Sequence, residues 1–407
     1  MGTSLTASIK TPYGPLMRLQ VGLGFLAFIM IGMSDGMLGV LLPSIRGYYQ
    51  VDKATVSLIF LASTFGYLTS AFASGLLVAS IGIRRLLLLG VGVYVFGVCL
   101  ITLQVPFLVL PLCLYCLGFG VGIVDAGLNS YFVGFPRSTL LLNFLHAFYG
   151  VGALIGPLIA SGLLELKFFW TTSYFILIAI GVLVLTGITL FYGATNLHVS
   201  DRASSDDSKE NVLFSALRLR VVWLTAAFLL FYVGAEVSMG TWSYSFLTEE
   251  RHEAALLSGW AVSGFWLGLT IGRLTLGHVG ERFGNKRLIQ GCLTGVVVGV
   301  LLVWLVPFGP VTALGLWITG FSLGPIFPTT IALISNMVPH RLVPTAIGFA
   351  ASLGSMGAAL FPWLAGNLAE SFGLWTLLPF MVVLTVFMLM VWFFLQGRPK
   401  IAPPVEG

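Results

Sequence analysis

The chain has 407 residues, 57% of them hydrophobic and 9% charged, against about 25% charged in an average soluble protein. So few charges cannot dress the surface of a soluble 43.8 kDa globule, and a mean hydropathy of +1.00 points the same way: most of this protein is solvated by lipid. The net charge of +5 is no argument for a nucleic-acid partner, because basic residues in loops are what membrane topology demands.

A helix needs about 20 apolar residues to cross the hydrocarbon core. Dividing the chain at charges and at Pro/Gly-polar clusters predicts twelve such spans, near 17–43, 55–81, 86–105, 107–133, 140–164, 171–195, 219–247, 255–279, 287–307, 310–336, 343–367 and 372–396. The first is too long for a signal peptide and lacks a small-residue cleavage site. Near its middle, "GMSDGMLGVLLP" (32–43) holds Asp35, with no Lys or Arg nearer than Arg18 and Arg46. The fourth span carries Asp125 and, one turn on, Asn129. In the fifth, Asn143 and His146 are three apart, on one helical face. Cys99, Cys113, Cys116 and Cys292 lie inside apolar runs without His or acidic groups at ligand spacing, so packing is expected of them and no metal site.

The polar stretch "ATNLHVSDRASSDDSKENV" (194–212) separates six spans from six. It divides the chain into an N-terminal bundle (1–195), a linker (196–218) and a C-terminal bundle (219–407). The seventh span holds Glu236 and Trp242; the eighth holds Arg273, which either snorkels to the interface or serves as a counter-charge in a cavity. Pro325 and Pro328 in the tenth span and Pro362 in the eleventh interrupt backbone hydrogen bonding. Of the 20 Lys and Arg residues, fifteen (from Lys10 to Lys400) fall on the termini and even-numbered loops, four (Arg46, Lys53, Lys167, Arg251) on the odd loops, and Arg273 within a span. That asymmetry predicts a multi-pass protein of the cell membrane with both termini cytoplasmic.

The halves repeat. "GLLVASIGIRR" (75–85) aligns with "GHVGERFGNKR" (277–287), and "GALIGPLIA" (152–160) with "GAALFPWLA" (357–365). Parallel repeats of six helices characterise two-bundle secondary transporters. The segment 277–287 resembles the loop signature of the major facilitator superfamily at Gly277, Glu281, Arg282, Gly284, Lys286 and Arg287; the first copy keeps Gly75, Arg84 and Arg85 but has Ala79 and Ser80 where the acid and base belong. "NFLHAFYGVGALIGP" (143–157), "FYVGAEVSMGTW" (231–242) and "GPIFPT" (324–329) are similar to the fucose/glucose-type sugar symporter branch, while Gly152, Gly156 and Pro157 also resemble part of a drug/proton antiporter signature. The resemblance implies an all-α membrane protein, two six-helix bundles working by alternating access, rather than an enzyme. It implies gating by the two loops, with Gly284 expected at a tight turn where a side chain would clash.

In the fucose-type branch a helix 1 aspartate and a helix 4 acid carry proton coupling and substrate contact; Asp35 and Asp125 occupy the matching places, with Asp125 standing where that branch has Glu. A carboxyl at the bilayer centre costs at least ~2.5 kcal/mol, so intramembrane acids usually face a cavity and serve an ion or substrate. Asp35, Asp125 and Glu236 are therefore the expected ion-coupling groups. The repeat puts Glu236 opposite position 34, beside Asp35. Asn129, Asn143 and His146 are expected to bind substrate, and Trp242 to offer an aromatic platform to the apolar face of a sugar. The expected function is proton-coupled (or sodium-coupled) symport of a small polar solute by a monomer in the lipid bilayer, without cofactor; drug/proton antiport is the alternative.

Overall fold

The computed structural model describes residues 14–135, 137–193, 212 and 214–396. Among them twelve helices are long and apolar enough to cross a membrane: α1 (Pro15–Tyr49), α2 (Lys53–Ala71), α3 (Ser80–Thr102), α4 (Phe107–Val133), α5 (Leu140–Glu165), α6 (Thr172–Phe191), α7 (Arg220–Glu250), α8 (Ala255–Leu276), α9 (Asn285–Leu305), α10 (Gly309–Ser335), α11 (Val343–Phe372) and α12 (Leu374–Gln396). The protein is an all-α membrane protein of two six-helix bundles. Most of the predicted linker lies outside the described residues.

Local chemistry sets the helix ends. The predicted first span stops at Pro43, yet α1 runs on to Tyr49, with Pro43 inside it and Gln50 closing it at a positive φ of 53°. Asp52 then caps α2: its Oδ1 accepts the Thr55 N–H at 2.6 Å, and hydrogen bonds from Thr55 hold its carboxyl below the usual carboxylate range. In α10 the chain turns between Leu323 and Ile326 at Pro325.

Backbone geometry bears the repeat. α1 packs on α5 and α7 on α11. Gly152 of α5 rests on the backbone of Ile29 and Met33, and Gly357 of α11 on that of Leu230 and Gly234. Ile29 and Met33 thus correspond to Leu230 and Gly234, which carries Asp35 onto Glu236, one position from the expected match.

The kink at Gly82, in the first turn of α3, and the turn at Gly284 between α8 and α9 are equivalent too. Gly82 has φ 76° and ψ 163°; Gly284 has φ 91° and ψ 139°. No neighbouring atom lies within 4 Å of a Cβ built at either. The expected clash at Gly284 is therefore absent, and a side chain there is opposed by backbone conformation instead. Gly82→Ala and Gly284→Ala should each destabilise by about 1–3 kcal/mol, the cost of a residue held in a glycine-favouring region. Gly291→Ala, which has open space and an ordinary φ, should leave the thermal unfolding midpoint of the purified protein in place. Equal midpoints for all three variants would contradict this.

The bundles touch through α1–α7, α5–α8 and α2–α11. Arg46 of α1 pairs with Glu249 of α7 at 2.9 Å. The Lys53 backbone N–H donates to Glu370 of α11 at 2.9 Å, with its ammonium 3.9 Å away. Gly39 lies against Gly240 and Thr241, and Gly259 against Ser161. These contacts belong to the end carrying the odd-numbered loops. At the opposite end the described ties stay within a bundle. Arg84 donates to the Thr189 carbonyl of α6 at 2.6 Å, and Lys286 donates to the Gln396 carbonyl of α12. Buried side chains match this layout: one cluster joins both bundles through Met37, Trp242 and Phe265, while a second, around Ile83, Leu87 and Phe132, belongs to the first bundle alone. The molecule is closed at the odd-loop end and parted at the end bearing the termini.

Candidate functional site

Between the bundles lies a cavity of about 360 Å³ lined from α1, α2, α4, α5, α7, α8 and α11, within the usual range for small-molecule sites of about 300–1,000 Å³. Phe60, Thr241 and Trp266 line it toward the closed end; Phe28, His146 and Arg273 line it toward the open end. Of these helices, α1, α4, α5, α7 and α8 carry the mid-span polar residues the sequence singles out; α2 and α11 join the wall without such a cue.

Three carboxylates face it, in two different settings. Asp35 is exposed to the cavity and accepts a hydrogen bond at 2.9 Å from the Tyr149 hydroxyl of α5. Asp125 is half-buried; the Tyr67 hydroxyl of α2 donates to its Oδ2 at 2.8 Å. Asn129 donates to Oδ1 of Asp125 and to its backbone carbonyl, each at 2.8 Å. Every hydrogen-bond donor described on these two carboxylates is neutral. Glu236 differs. It is buried, receives the Tyr232 hydroxyl from one turn back, and pairs with Arg273 of α8, whose Nη2 lies 3.1 Å from Oε1 and 3.3 Å from Oε2.

Arg273 does not snorkel to the interface. Its Nε also donates to the Gly324 carbonyl of α10 at 3.3 Å. Pro328 explains why that carbonyl is open: with no N–H, it cannot supply the usual helical bond to the residue four before it. A proline in one helix thus creates the acceptor that orients an arginine in another.

Other expected substrate residues are placed unevenly. His146 lines the cavity, its ring edge-on to Phe28 at 5.5 Å. Asn129 acts behind Asp125 rather than on the wall. Asn143 is exposed, one turn nearer the open end, and is not among the lining residues. Trp242 does not line the cavity: it is 1% exposed, packs near Phe60, and donates its indole N–H to the Pro362 carbonyl at 2.9 Å. Six residues at 100° each turn it about 120° away from Glu236 around the helix, so it seals the bundles together instead of meeting a solute. Trp266 supplies the cavity's indole ring. Sequence reasoning missed Tyr67, Tyr149 and Tyr232. Two of them had a readable cue, Tyr149 three residues after His146 and Tyr232 four before Glu236.

At the two loops, Arg84 and Lys286 hold helix ends within their own bundles, and Arg85 and Arg287 are exposed. The surroundings of Gly75, Gly277 and Glu281 lie outside the described residues, and Arg282 is exposed.

The Major Facilitator Superfamily model matches residues 24–259 and 224–407. The Saccharomyces cerevisiae protein named bypass of stop codon protein 6 is 29% identical, the match covering 88% of this chain and 79% of the relative. The Bacillus subtilis glucose/mannose transporter GlcP is 21% identical over 84% of this chain and 86% of its own. Among solved structures, a variant of the nucleoside transporter NupG superposes with a TM-score of 0.79 at 12% identity, covering 93% of this chain and 99% of that one. A variant of the E. coli fucose:proton symporter FucP superposes at 0.63 and 18% identity, covering 92% and 98%. At such identities the structural likenesses speak to the fold alone.

Proposed function

The chain belongs to the Major Facilitator Superfamily and is a membrane transporter, and from that premise we propose that it carries a small polar solute, a sugar foremost, in symport with a proton. One observation carries the reading: Asp35 and Asp125 face the cavity with neutral donors as their described hydrogen-bond partners. A carboxylate without a cation is costly to enclose away from water. Closing the cavity over Asp35 and Asp125 therefore favours their protonated forms, and opening it to water lets the proton leave. Glu236 carries its compensation with it in Arg273, so its charge survives closure. It is a structural partner of Arg273, and the coupling role falls to the two aspartates.

Solute enters the same balance. The Tyr149 and Tyr67 hydroxyls that hold Asp35 and Asp125 are the groups a sugar hydroxyl would exchange with, and the Trp266 ring lines the same cavity toward its closed end. The fit to GlcP, a glucose/mannose transporter by name, supports a sugar. The domain division at 195 and 219 and a cell-membrane location belong to this proposal. With both termini cytoplasmic, the closed end faces outside and the cavity opens inward, the state in which a symporter releases its load. The loops at Arg84–Arg85 and Glu281–Arg287 would close the inner end in the opposite state.

The test is ligand binding to the purified protein, read as thermal stabilisation. Glucose, mannose, fucose and uridine stand against tetraphenylphosphonium as a lipophilic cation. Stabilisation by a hexose is expected; stabilisation by tetraphenylphosphonium alone would replace this proposal with drug/proton antiport.

A further inference from the structure

Resting on the reading of this cavity as a solute site, we propose that Glu236 makes it a charge filter: by occupying Arg273 it withdraws the cavity's guanidinium from solutes, so that neutral and cationic solutes enter and anions are turned away. Among the residues lining the cavity, Arg273 is the one lysine or arginine, set against Asp35, Asp125 and Glu236. An exposed guanidinium there would be a ready site for a carboxylate or phosphate, since its donors match both in fork geometry. It is not offered. One terminal nitrogen spans both Glu236 oxygens and Nε is fixed on the Gly324 carbonyl.

An incoming anion must displace a carboxylate tethered to the same wall. Tyr232 holds that carboxylate in place from one turn back. The anion would also face Asp35, which is exposed to the cavity, and Asp125. Like charges in a low-dielectric cleft repel strongly, and such clefts concentrate ions of the opposite sign.

The experiment reads cavity charge without any solute. In a chain with Cys99, Cys113, Cys116 and Cys292 replaced by alanine, Ser355→Cys on the α11 wall reports from the cavity. Modification rates by a cationic and an anionic methanethiosulfonate are compared in the purified protein, each normalised to its rate with a small free thiol. The cationic reagent should win by about tenfold or more. Glu236→Gln, which exposes Arg273, should lower that ratio about tenfold, and Arg273→Gln should raise it by a similar factor. The double variant, with neither charge, should return it close to the parent.

Each single change leaves a charge unpaired, which destabilises strongly when the pair is buried. If one single variant fails to fold, the other against the double variant gives the same decision. Ratios that stay fixed, or move the same way in both single variants, overturn the filter. Because no solute takes part, that failure would leave the symport proposal standing, and a failure to bind hexose would leave the filter intact.

Discussion

Asp35→Asn should abolish accumulation of solute against its gradient in proteoliposomes while leaving exchange of solute across the membrane in place. Asparagine keeps the shape of the side chain and an acceptor oxygen for the Tyr149 hydroxyl, which lies 2.9 Å from the native carboxylate. It removes the ability to gain and lose a proton. With the carboxyl imitated in its protonated form, the cavity can close at any pH, loaded or empty of protons, and the pH gradient no longer drives the cycle. The expected result is an accumulation ratio falling to equilibrium under an imposed pH gradient, with counterflow retained. Asp125→Asn should act similarly: its amide oxygen still accepts from the Tyr67 hydroxyl at 2.8 Å, while the Asn129 amide keeps its bond to the backbone carbonyl and loses the one to the side chain. A purely structural carboxyl predicts the reverse, because asparagine preserves its hydrogen bonding and accumulation survives. Uphill uptake in both variants would refute the coupling role.

Gly39→Val should hold the odd-loop end open and stop transport. A Cβ at Gly39 would lie 2.7 Å from the Thr241 carbonyl oxygen, 2.8 Å from the Thr241 Cα and 2.9 Å from the Gly240 carbonyl oxygen. All three are backbone atoms of α7, so no side-chain rotation relieves them, and α1 must draw away from α7. Overpacking of this kind costs about 1–3 kcal/mol, and each 1.4 kcal/mol is about tenfold in the population of the closed state. By comparison the Arg46–Glu249 pair, partly exposed, is worth about 0.2–1 kcal/mol, so steric fit governs closure more than that ion pair does.

A cysteine pair at Lys53 and Glu370, which face each other across the bundles, reports the seal. It should oxidise readily in the parent and poorly beside Gly39→Val. Gly22→Val, on the same helix with nothing within 4 Å of the added carbon, should cross-link and transport normally. Undiminished cross-linking beside Gly39→Val would show that α1 does not set the closed end.

The spans were legible because hydropathy contrast at this composition is nearly binary. Pro43 does not end α1, because a proline costs one internal bond and a long packed helix absorbs it. The matched glycines at 82 and 284 were visible as letters, and their shared positive φ explains why the letters repeat. The cavity was only partly legible. Asp35, Asp125 and Glu236 stand out because acids in apolar runs are rare. The hydroxyls that reach Asp35 and Asp125 do not, because tyrosine is ordinary in a membrane helix and which hydroxyl meets either acid depends on how helices are set against each other. The same limit applies to Arg273: its pairing with Glu236 and its bond to the Gly324 carbonyl join three helices, and no spacing within one helix encodes that. Trp242 was misplaced for a different reason. Its place along α7 suits the cavity, but six residues turn it about 120° away from Glu236 around the helix.

Symport requires solute and proton to move in the same direction. Proteoliposomes loaded with a pH-sensitive dye, without an imposed gradient, test it directly when a hexose that stabilises the protein is added outside. Symport predicts acidification of the lumen that grows with hexose concentration and is absent in Asp35→Asn. Alkalinisation, or a lumen pH that does not respond while labelled hexose enters, would contradict it.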